Sequence, residues 1–317
     1  MSEDEDYNRN WYVLIFGLDC ENSPQVIAPG LAIRRLNQEI TIFDLAAAGA
    51  QGFQQWSMLA PLSLGCKCEI ESAKDADIRP GYDALNRVWL ACALLLLKGY
   101  GKHLSVACST YSWNQIAGHQ KRTTESFKEQ AAEQGVREAV YHPKKQLPPF
   151  KGNLLDFHTH YLISKHSHKD ILTKEDADWS LKHFEGFNKL AAESERFRFA
   201  LEAAVDWRFS KNPRIALARL WSGIEALFGV TSELVFRVSL LCAFLLESPG
   251  ENRHQRFQAV KKLYGIRSKA VHGDELSEEK LYEGMSSSFE LLRDLLLRVV
   301  ERGAELSEDD LDHIIFH

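Results

Sequence analysis

The pattern of apolar and polar positions changes near the middle of the chain and divides it into two regions. In the first region, short runs rich in β-branched and aromatic residues alternate with turn residues, which is typical of strands. We expect strands at 11–18, 25–36, 66–71, 104–110 and 136–141. Residues 81–98 form the longest apolar-rich stretch of this region and predict a buried helix. Residues 44–56, rich in alanine and glutamine, predict another helix that two glycines weaken.

In the second region, apolar residues recur every three or four positions, which is the period of an amphipathic helix. Helix-capping residues and glycines mark the ends of the predicted helices. We expect one long helix or two joined helices at 174–208, then helices at 213–228, from a cap at Thr231 or Ser232 to Leu246, up to Gly273, and from Ser277 onward. The last helix carries one apolar stripe, formed by Leu281, Met285, Phe289, Leu292, Leu296 and Val300.

The segment 142–152 separates the two regions, since it contains three prolines and three lysines and is typical of a linker or a crossing strap. The strands before it do not follow a regular βαβ period. We therefore predict an α+β protein. Its mixed N-terminal domain spans residues 1–165, and an all-α helical bundle spans residues 166–317.

The charge, apolar runs and cysteine content of the chain limit the kinds of partner it can bind. The net charge of −6 excludes a general nucleic-acid binder, so any such site must be a local basic patch. The most apolar run, 88–97, is too short to cross a membrane, and residues 1–6 are acidic rather than typical of a signal peptide. The six cysteines are scattered, and Cys66 and Cys68 lack a second pair for zinc. We expect reduced thiols, a cytoplasmic protein, no membrane partner and no cofactor.

A basic strip lies close to the end of the penultimate predicted helix. Residues 253–272 contain six lysines or arginines and no acid, which suits a ligand that carries phosphate. Arg267 and His272 lie in this strip, just before Gly273. Positions five apart on a helix point about 140° apart. The two side chains therefore converge only at a frayed helix end or across an interface between two chains.

The stretch Leu-Tyr-Gly-Ile-Arg-Ser-Lys-Ala-Val-His-Gly at 263–273 resembles the Arg-x4-His signature of the HEPN superfamily, in its Apea-like branch. The stretch at 219–229 resembles the same branch, and the likeness covers about residues 175–303. It implies a HEPN helical bundle and a metal-independent endoribonuclease that acts as a homodimer, with Arg267 and His272 as the active pair. It also implies a microbial defence or toxin-type setting. Ser268 stands where many members carry Asn, Asp or His.

The chemistry of these residue types agrees with that expectation. RNA cleavage without a metal needs a base for the ribose 2′-hydroxyl and an acid for the leaving 5′-oxygen, and histidine serves as either. Arginine presents a two-pronged donor to the phosphate as charge builds on its oxygens. Two chains would supply two histidines. The alternative is structural: Arg267 pairs with an acid, and His272 caps carbonyl groups at the helix end.

Further residues are candidates for support. Glu225 places a carboxylate on an apolar stripe, so it either pairs with an arginine of the bundle or orients Arg267. Ser268 and Lys269 are candidates for contact with the scissile phosphate. Lys261 and Lys262 belong to the same basic strip and are candidates for contact with RNA.

Two other functions remain open from the sequence. The basic strip also suits a non-catalytic module that binds RNA, a nucleotide or a partner protein, and the N-terminal region then senses a trigger or regulates the bundle. The pattern Asp156-x-His158-x-His160 resembles the first metal motif of amidohydrolase barrels, but the chain shows no repeating βα pattern. We therefore expect no metal in the functional site.

Overall fold

A computed structural model describes residues 10–47, 65–73, 84–119, 128–129, 132, 152–155, 161–230, 234–306 and 310. The N-terminal part contains an antiparallel sheet and the C-terminal part is helical, so the predicted α+β class is confirmed. The described residues form two compact units. The first lies within Met1–Cys92, Lys102–Phe157 and Asp170–Leu181, and the second lies within Ala93–Gly101, His158–Lys169 and Lys182–His317. The predicted domain boundary after residue 165 stays a prediction.

The first unit is built on a six-stranded antiparallel sheet in the order β3-β4-β5-β1-β6-β7, with a separate parallel pair formed by β2 and β8. The predicted strands in the described part of the chain are present. The strands are β1 (Trp11–Phe16), β2 (Asp19–Cys20), β3 (Gln25–Ala28), β4 (Leu31–Arg35), β5 (Cys66–Ser72), β6 (Leu104–Ser109), β7 (Gly152–Leu154) and β8 (Ile171–Leu172). The strand predicted at 136–141 and most of the segment 142–152 lie outside the described residues.

The helices follow the periodicity of the sequence. They are α1 (Ile42–Ala47), α2 (Ala84–Leu97), α3 (Trp113–Ile116), α4 (Lys174–Glu193), α5 (Glu195–Asp206), α6 (Pro213–Phe228), α7 (Leu234–Leu246), α8 (Glu251–His272) and α9 (Glu278–Arg302), with a 3-10 turn at Trp207–Phe209. The segment predicted as one or two helices is two, because the Ser194 hydroxyl accepts a hydrogen bond from the amide of Phe197 and starts α5. The predicted caps at Thr231 or Ser232 lie outside the described residues.

The predicted start of the first helix was wrong by two residues. Helix α1 begins at Ile42 because Thr41 and Asp44 cap it reciprocally. The Thr41 amide donates to Oδ2 of Asp44 at 2.9 Å, and the Asp44 amide donates to Oγ1 of Thr41 at 3.2 Å. Asp44 is therefore the third residue of the helix, not its first. The remainder of the predicted helix, from residue 48, lies outside the described residues.

A buried carboxylate joins the sheet to a short helix in the first unit. Glu69 of β5 is fully buried, and it accepts hydrogen bonds from the Ser112 hydroxyl at 2.7 Å and the Trp113 amide at 2.5 Å. Both donors lie at the N-terminus of α3, which favours negative charge. Burial nevertheless raises the pKa of Glu69 above its usual value. Its described hydrogen bonds connect β5 to the start of α3, so we assign this acid a structural role.

The second unit is a bundle whose core is the predicted apolar stripe of α9. All six residues of that stripe are buried, so that prediction is confirmed. Trp221 of α6 packs edge-on against Tyr264 of α8 with ring centroids 5.0 Å apart, a contact of about 0.5–1.5 kcal/mol beyond area burial. Helices α8 and α9 approach closely at Gly284, where an added Cβ would lie 2.9 Å from Cγ2 of Ile266. A larger side chain at position 284 would push α8 away.

In the part of the chain that the structure describes, no helix is both long enough and apolar enough to cross a bilayer.

Candidate functional site

Helix α8 carries most of the candidate residues and remains regular to its last residue. It spans 22 residues, Glu251–His272, and ends where Gly273 adopts the left-handed conformation with φ 84°. The predicted stop at Gly273 is therefore confirmed. Because the helix does not fray before His272, the angular separation of about 140° between positions 267 and 272 applies.

The end of α8 is held by an arginine from another helix. Arg214 of α6 donates from Nη1 to the carbonyl of Ala270 at 2.8 Å and from Nη2 to the carbonyl of Asp274 at 2.7 Å. These bonds satisfy carbonyl groups that a helix C-terminus otherwise leaves unpaired. Sequence reasoning missed this role, since an arginine after Asn212-Pro213 at a helix start is equally typical of a solvated side chain.

Arg267 points from α8 toward α6 and meets Glu225. Its Nη2 lies 3.5 Å from Oε1 of Glu225, and the two side chains are only 20% and 19% exposed. Its Nη1 lies 3.5 Å from the hydroxyl of Tyr264, and the guanidinium carbon is 5.2 Å from the centre of that ring. The structure thus brings together Glu225 and Arg267, two of the residues that the sequence singled out, and adds Tyr264.

The three side chains form a small polar cluster with unused hydrogen-bonding capacity. Burial raises the pKa of Tyr264, the positive charge of Arg267 opposes this shift, and the negative charge of Glu225 adds to it. Oε1 of Glu225 and Nε of Arg267 are buried and have no hydrogen-bond partner among the described residues. A charged pair of this type usually closes to about 2.7–2.9 Å. The guanidinium therefore makes only long contacts with Glu225 and Tyr264.

His272 lies apart from this cluster. It is the last residue of α8, it is exposed, and among the described residues it makes no hydrogen bond or ion pair. The carbonyl of Ala270 nearby is already bonded to Arg214. Since the helix is regular, Arg267 and His272 leave its axis in different directions. Within one chain the structure does not bring these two residues to one point.

The remaining candidates are distributed over the surface of α8. Ser268 is partly buried, whereas Lys261, Lys262 and Lys269 are exposed. Lys262 and Lys269 line a groove of about 740 Å³ between α8 and α9. Seven positions separate them, so they lie on one helix face about 10 Å apart along the axis. Lys261 does not line this groove.

The groove has an apolar floor and a basic rim. Leu263 and Ile266 of α8 and Leu291 of α9 contribute to its floor. Two of its cations are already paired, Lys165 with Glu283 at 3.4 Å and Arg256 with Glu247 at 2.9 Å. Among the described residues, the lining cations that have no such acid partner are Lys262, Lys269 and Lys280. Arg267 and Glu225 do not line the groove, so helix α8 presents two separate candidate surfaces.

The alternative metal motif is not placed by the structure, because Asp156, His158 and His160 lie outside the described residues. Comparison of the chain with family models, with curated proteins and with solved structures gives no match. The resemblance to the HEPN superfamily therefore stays a prediction, and the proposed function depends on the contacts of Arg267, Glu225 and Tyr264 and on the exposure of His272.

Proposed function

We propose that the chain is a metal-independent endoribonuclease of the HEPN type, in which Arg267 and His272 act on the scissile phosphate. The observation that carries the proposal is the state of Arg267. Its guanidinium is largely buried, only loosely paired with Glu225, and has an Nε without a partner in the described structure. An arginine that the fold leaves unsatisfied offers two-pronged binding to a phosphate.

His272 supplies the proton chemistry in this proposal. An imidazole can accept a proton from the 2′-hydroxyl or donate one to the leaving 5′-oxygen. The exposed ring of His272 is free to meet a substrate. The 2′-oxygen attacks the phosphorus and the bond to the 5′-oxygen breaks. The products are a 2′,3′-cyclic phosphate and a free 5′-hydroxyl.

The proposed reaction requires two chains. One chain places a single histidine at the end of α8, on a face different from that of Arg267, whereas cleavage needs a base and an acid. Two exposed apolar side chains follow directly after the bonded residues Arg214 and Ala270 in the sequence: Ile215, 61% exposed, and Val271, 45% exposed. Covering such side chains favours association. We therefore propose a homodimer through the helical region, and light scattering on the full chain at micromolar concentration is expected to give twice the chain mass. A monomer would contradict the shared site.

Two variants test the assignment of roles. We expect His272→Ala to lower the cleavage rate by about 10²–10⁴-fold while RNA binding stays near that of the wild type, because a proton donor or acceptor is lost. We expect Arg267→Ala to weaken both, because its guanidinium binds the phosphate in the ground state and stabilises it further as charge develops. Rates and binding are measured on the same single-stranded RNA.

A matched control is available on the same helix. His254 is an exposed histidine near the start of α8, so His254→Ala should leave cleavage unchanged. Far-ultraviolet circular dichroism and thermal unfolding of each variant exclude loss of the fold. Equal loss of cleavage in the His254 and His272 variants would contradict the assignment. Toxicity on expression that His272→Ala relieves would support the defence or toxin-type setting.

The groove favours a second candidate function, a module that binds RNA without cutting it. Lys262, Lys269 and Lys280, which pair with no acid in the described part of the chain, provide a basic rim that does not include Arg267. In that case Lys262→Ala with Lys269→Ala should weaken RNA binding and lower its salt dependence. The matched control is Lys261→Ala, which removes a lysine outside the groove. Wild-type protein that binds RNA but never cuts it, with no effect of His272→Ala, would leave this function in place of the nuclease.

A further inference from the structure

Three potential metal ligands of the first unit lie together, although two of them are distant in sequence from the third. They are Asp19 and Cys20 of β2 and Cys68 of β5, and one ligand atom from each lies within 4.8 Å of the others. Both cysteines are fully buried. The sequence pairs Cys68 only with its neighbour Cys66, whereas the fold supplies a partner 48 positions away.

The separation of the two sulfur atoms fits a tetrahedral metal ion. The Sγ atoms of Cys20 and Cys68 are 3.8 Å apart. Two thiolates bound at about 2.3 Å with a tetrahedral angle between them are also separated by about 3.8 Å. Oδ1 of Asp19 lies 3.9 Å from Sγ of Cys68. The three side chains thus need little rearrangement to share one ion, and a water molecule on the partly exposed side of Asp19 would complete the four ligands.

The carboxylate is fixed from outside, as the ligands of metal sites usually are. Oδ1 of Asp19 accepts hydrogen bonds from the Cys20 amide at 2.7 Å and from Nε of Arg35 at 2.8 Å. Arg35 also donates to the carbonyl of Cys20. Two thiolates and one carboxylate carry a charge of −3, which one divalent ion and Arg35 together neutralise. The arginine therefore balances the site as well as orienting its carboxylate.

Formation of a disulfide is the competing explanation for two close cysteines. A disulfide needs an oxidant to reach a thiolate, and buried thiols are inert for that reason. A structural metal ion, by contrast, binds as the chain folds and needs no later access. The observed sulfur separation is also far from the bond length of about 2.05 Å. Burial and distance both favour the metal.

We propose that Asp19, Cys20 and Cys68 bind one thiophilic divalent ion, of which zinc is the best match. This ion would connect β2 to β5, an interior strand of the sheet. Sulfur and carboxylate ligands suit zinc, and two thiolates disfavour magnesium or calcium. Binding releases the two thiol protons to solvent, and the metal accepts one lone pair from each thiolate sulfur.

The test uses the full chain purified in the presence of zinc. We expect about one zinc per chain, and replacement by cobalt should give the absorption bands of tetrahedral cobalt bound to thiolate. Cys20→Ser and Cys68→Ser should each lower the metal content at least tenfold. The matched control is Cys108→Ser, since Cys108 is a buried cysteine of the same sheet on β6 and should keep the ion.

A second variant keeps the test valid if the cysteine variants fail to fold. Arg35→Gln retains all three ligands and alters a side chain that is 49% exposed. We expect it to weaken zinc binding about 10–100-fold in competition with a chelator, as loss of an outer partner usually does. Wild-type protein without stoichiometric metal, a mass two hydrogens lower that shows a disulfide, or equal metal loss in Cys108→Ser would overturn the proposal.

Discussion

Two arginines of the helical bundle meet the same helix, α8, in opposite ways. Arg214 reaches its end and donates to two backbone carbonyls at 2.8 and 2.7 Å. Arg267 leaves its middle and approaches Glu225 and Tyr264 only to 3.5 Å, with one donor unused among the described residues. The first arginine has the geometry of a structural group. The second makes only long contacts and leaves its buried Nε without a hydrogen-bond partner among the described residues.

Charge and burial do not separate these two arginines. Both side chains lie partly buried on the same pair of helices. A short hydrogen bond that involves a charged group contributes about 1.5–3 kcal/mol to stability, and a hydrogen bond weakens as its donor and acceptor move apart. What distinguishes the two arginines is therefore how completely their donors are used.

The largest predicted difference concerns stability. Arg214→Ala removes two short bonds and leaves carbonyl groups at the end of α8 unpaired, so we expect a loss of about 1–3 kcal/mol in the free energy of unfolding. The comparison variant is Arg267→Ala with Glu225→Gln, which leaves no buried carboxylate without its cation. It should cost less than Arg214→Ala, because the contacts it removes are 3.5 Å long. Urea unfolding of both proteins beside the wild type measures the two losses. Equal losses, or a larger loss for the double variant, would contradict the stated difference between the two arginines.

A smaller effect is expected at the carboxylate. Glu225→Gln keeps the shape of the side chain and removes the charge that orients Arg267. We expect cleavage to fall about tenfold, equivalent to about 1.4 kcal/mol of transition-state stabilisation. Glu301 of α9, which pairs with Arg298 at 3.5 Å and does not line the groove, offers the control Glu301→Gln. If both variants cleave at the wild-type rate, Glu225 has only a structural role.

Much of the fold could be predicted because local signals agree with the tertiary structure. The caps at Asn212 and Ser277 and the stop at Gly273 lie where the sequence places them. The start of α1 depends on the reciprocal hydrogen bonds of Thr41 and Asp44, which have no counterpart in the apolar pattern. Periodicity alone shows neither reciprocal caps nor strand order.

The site was harder to predict than the helices. The contact between Glu225 and Arg267 fits both alternatives that the apolar stripe of α6 leaves open, a structural partner for an arginine of the bundle and a group that orients Arg267. The clamp of Arg214 on α8 and the contact of Cys20 with Cys68 join residues 56 and 48 positions apart. Contacts of this range depend on how helices and strands pack, and a single sequence carries little local signal for them.

The products of the reaction distinguish RNA cleavage without a metal in the functional site from metal-dependent cleavage. The full chain is incubated with single-stranded RNA in EDTA, the zinc content of the protein is followed, and the fragment ends are analysed. We expect 2′,3′-cyclic phosphate ends in EDTA and none with His272→Ala. Cleavage that EDTA abolishes in folded protein and that added zinc or manganese restores, or wild-type cleavage by His272→Ala, would contradict it.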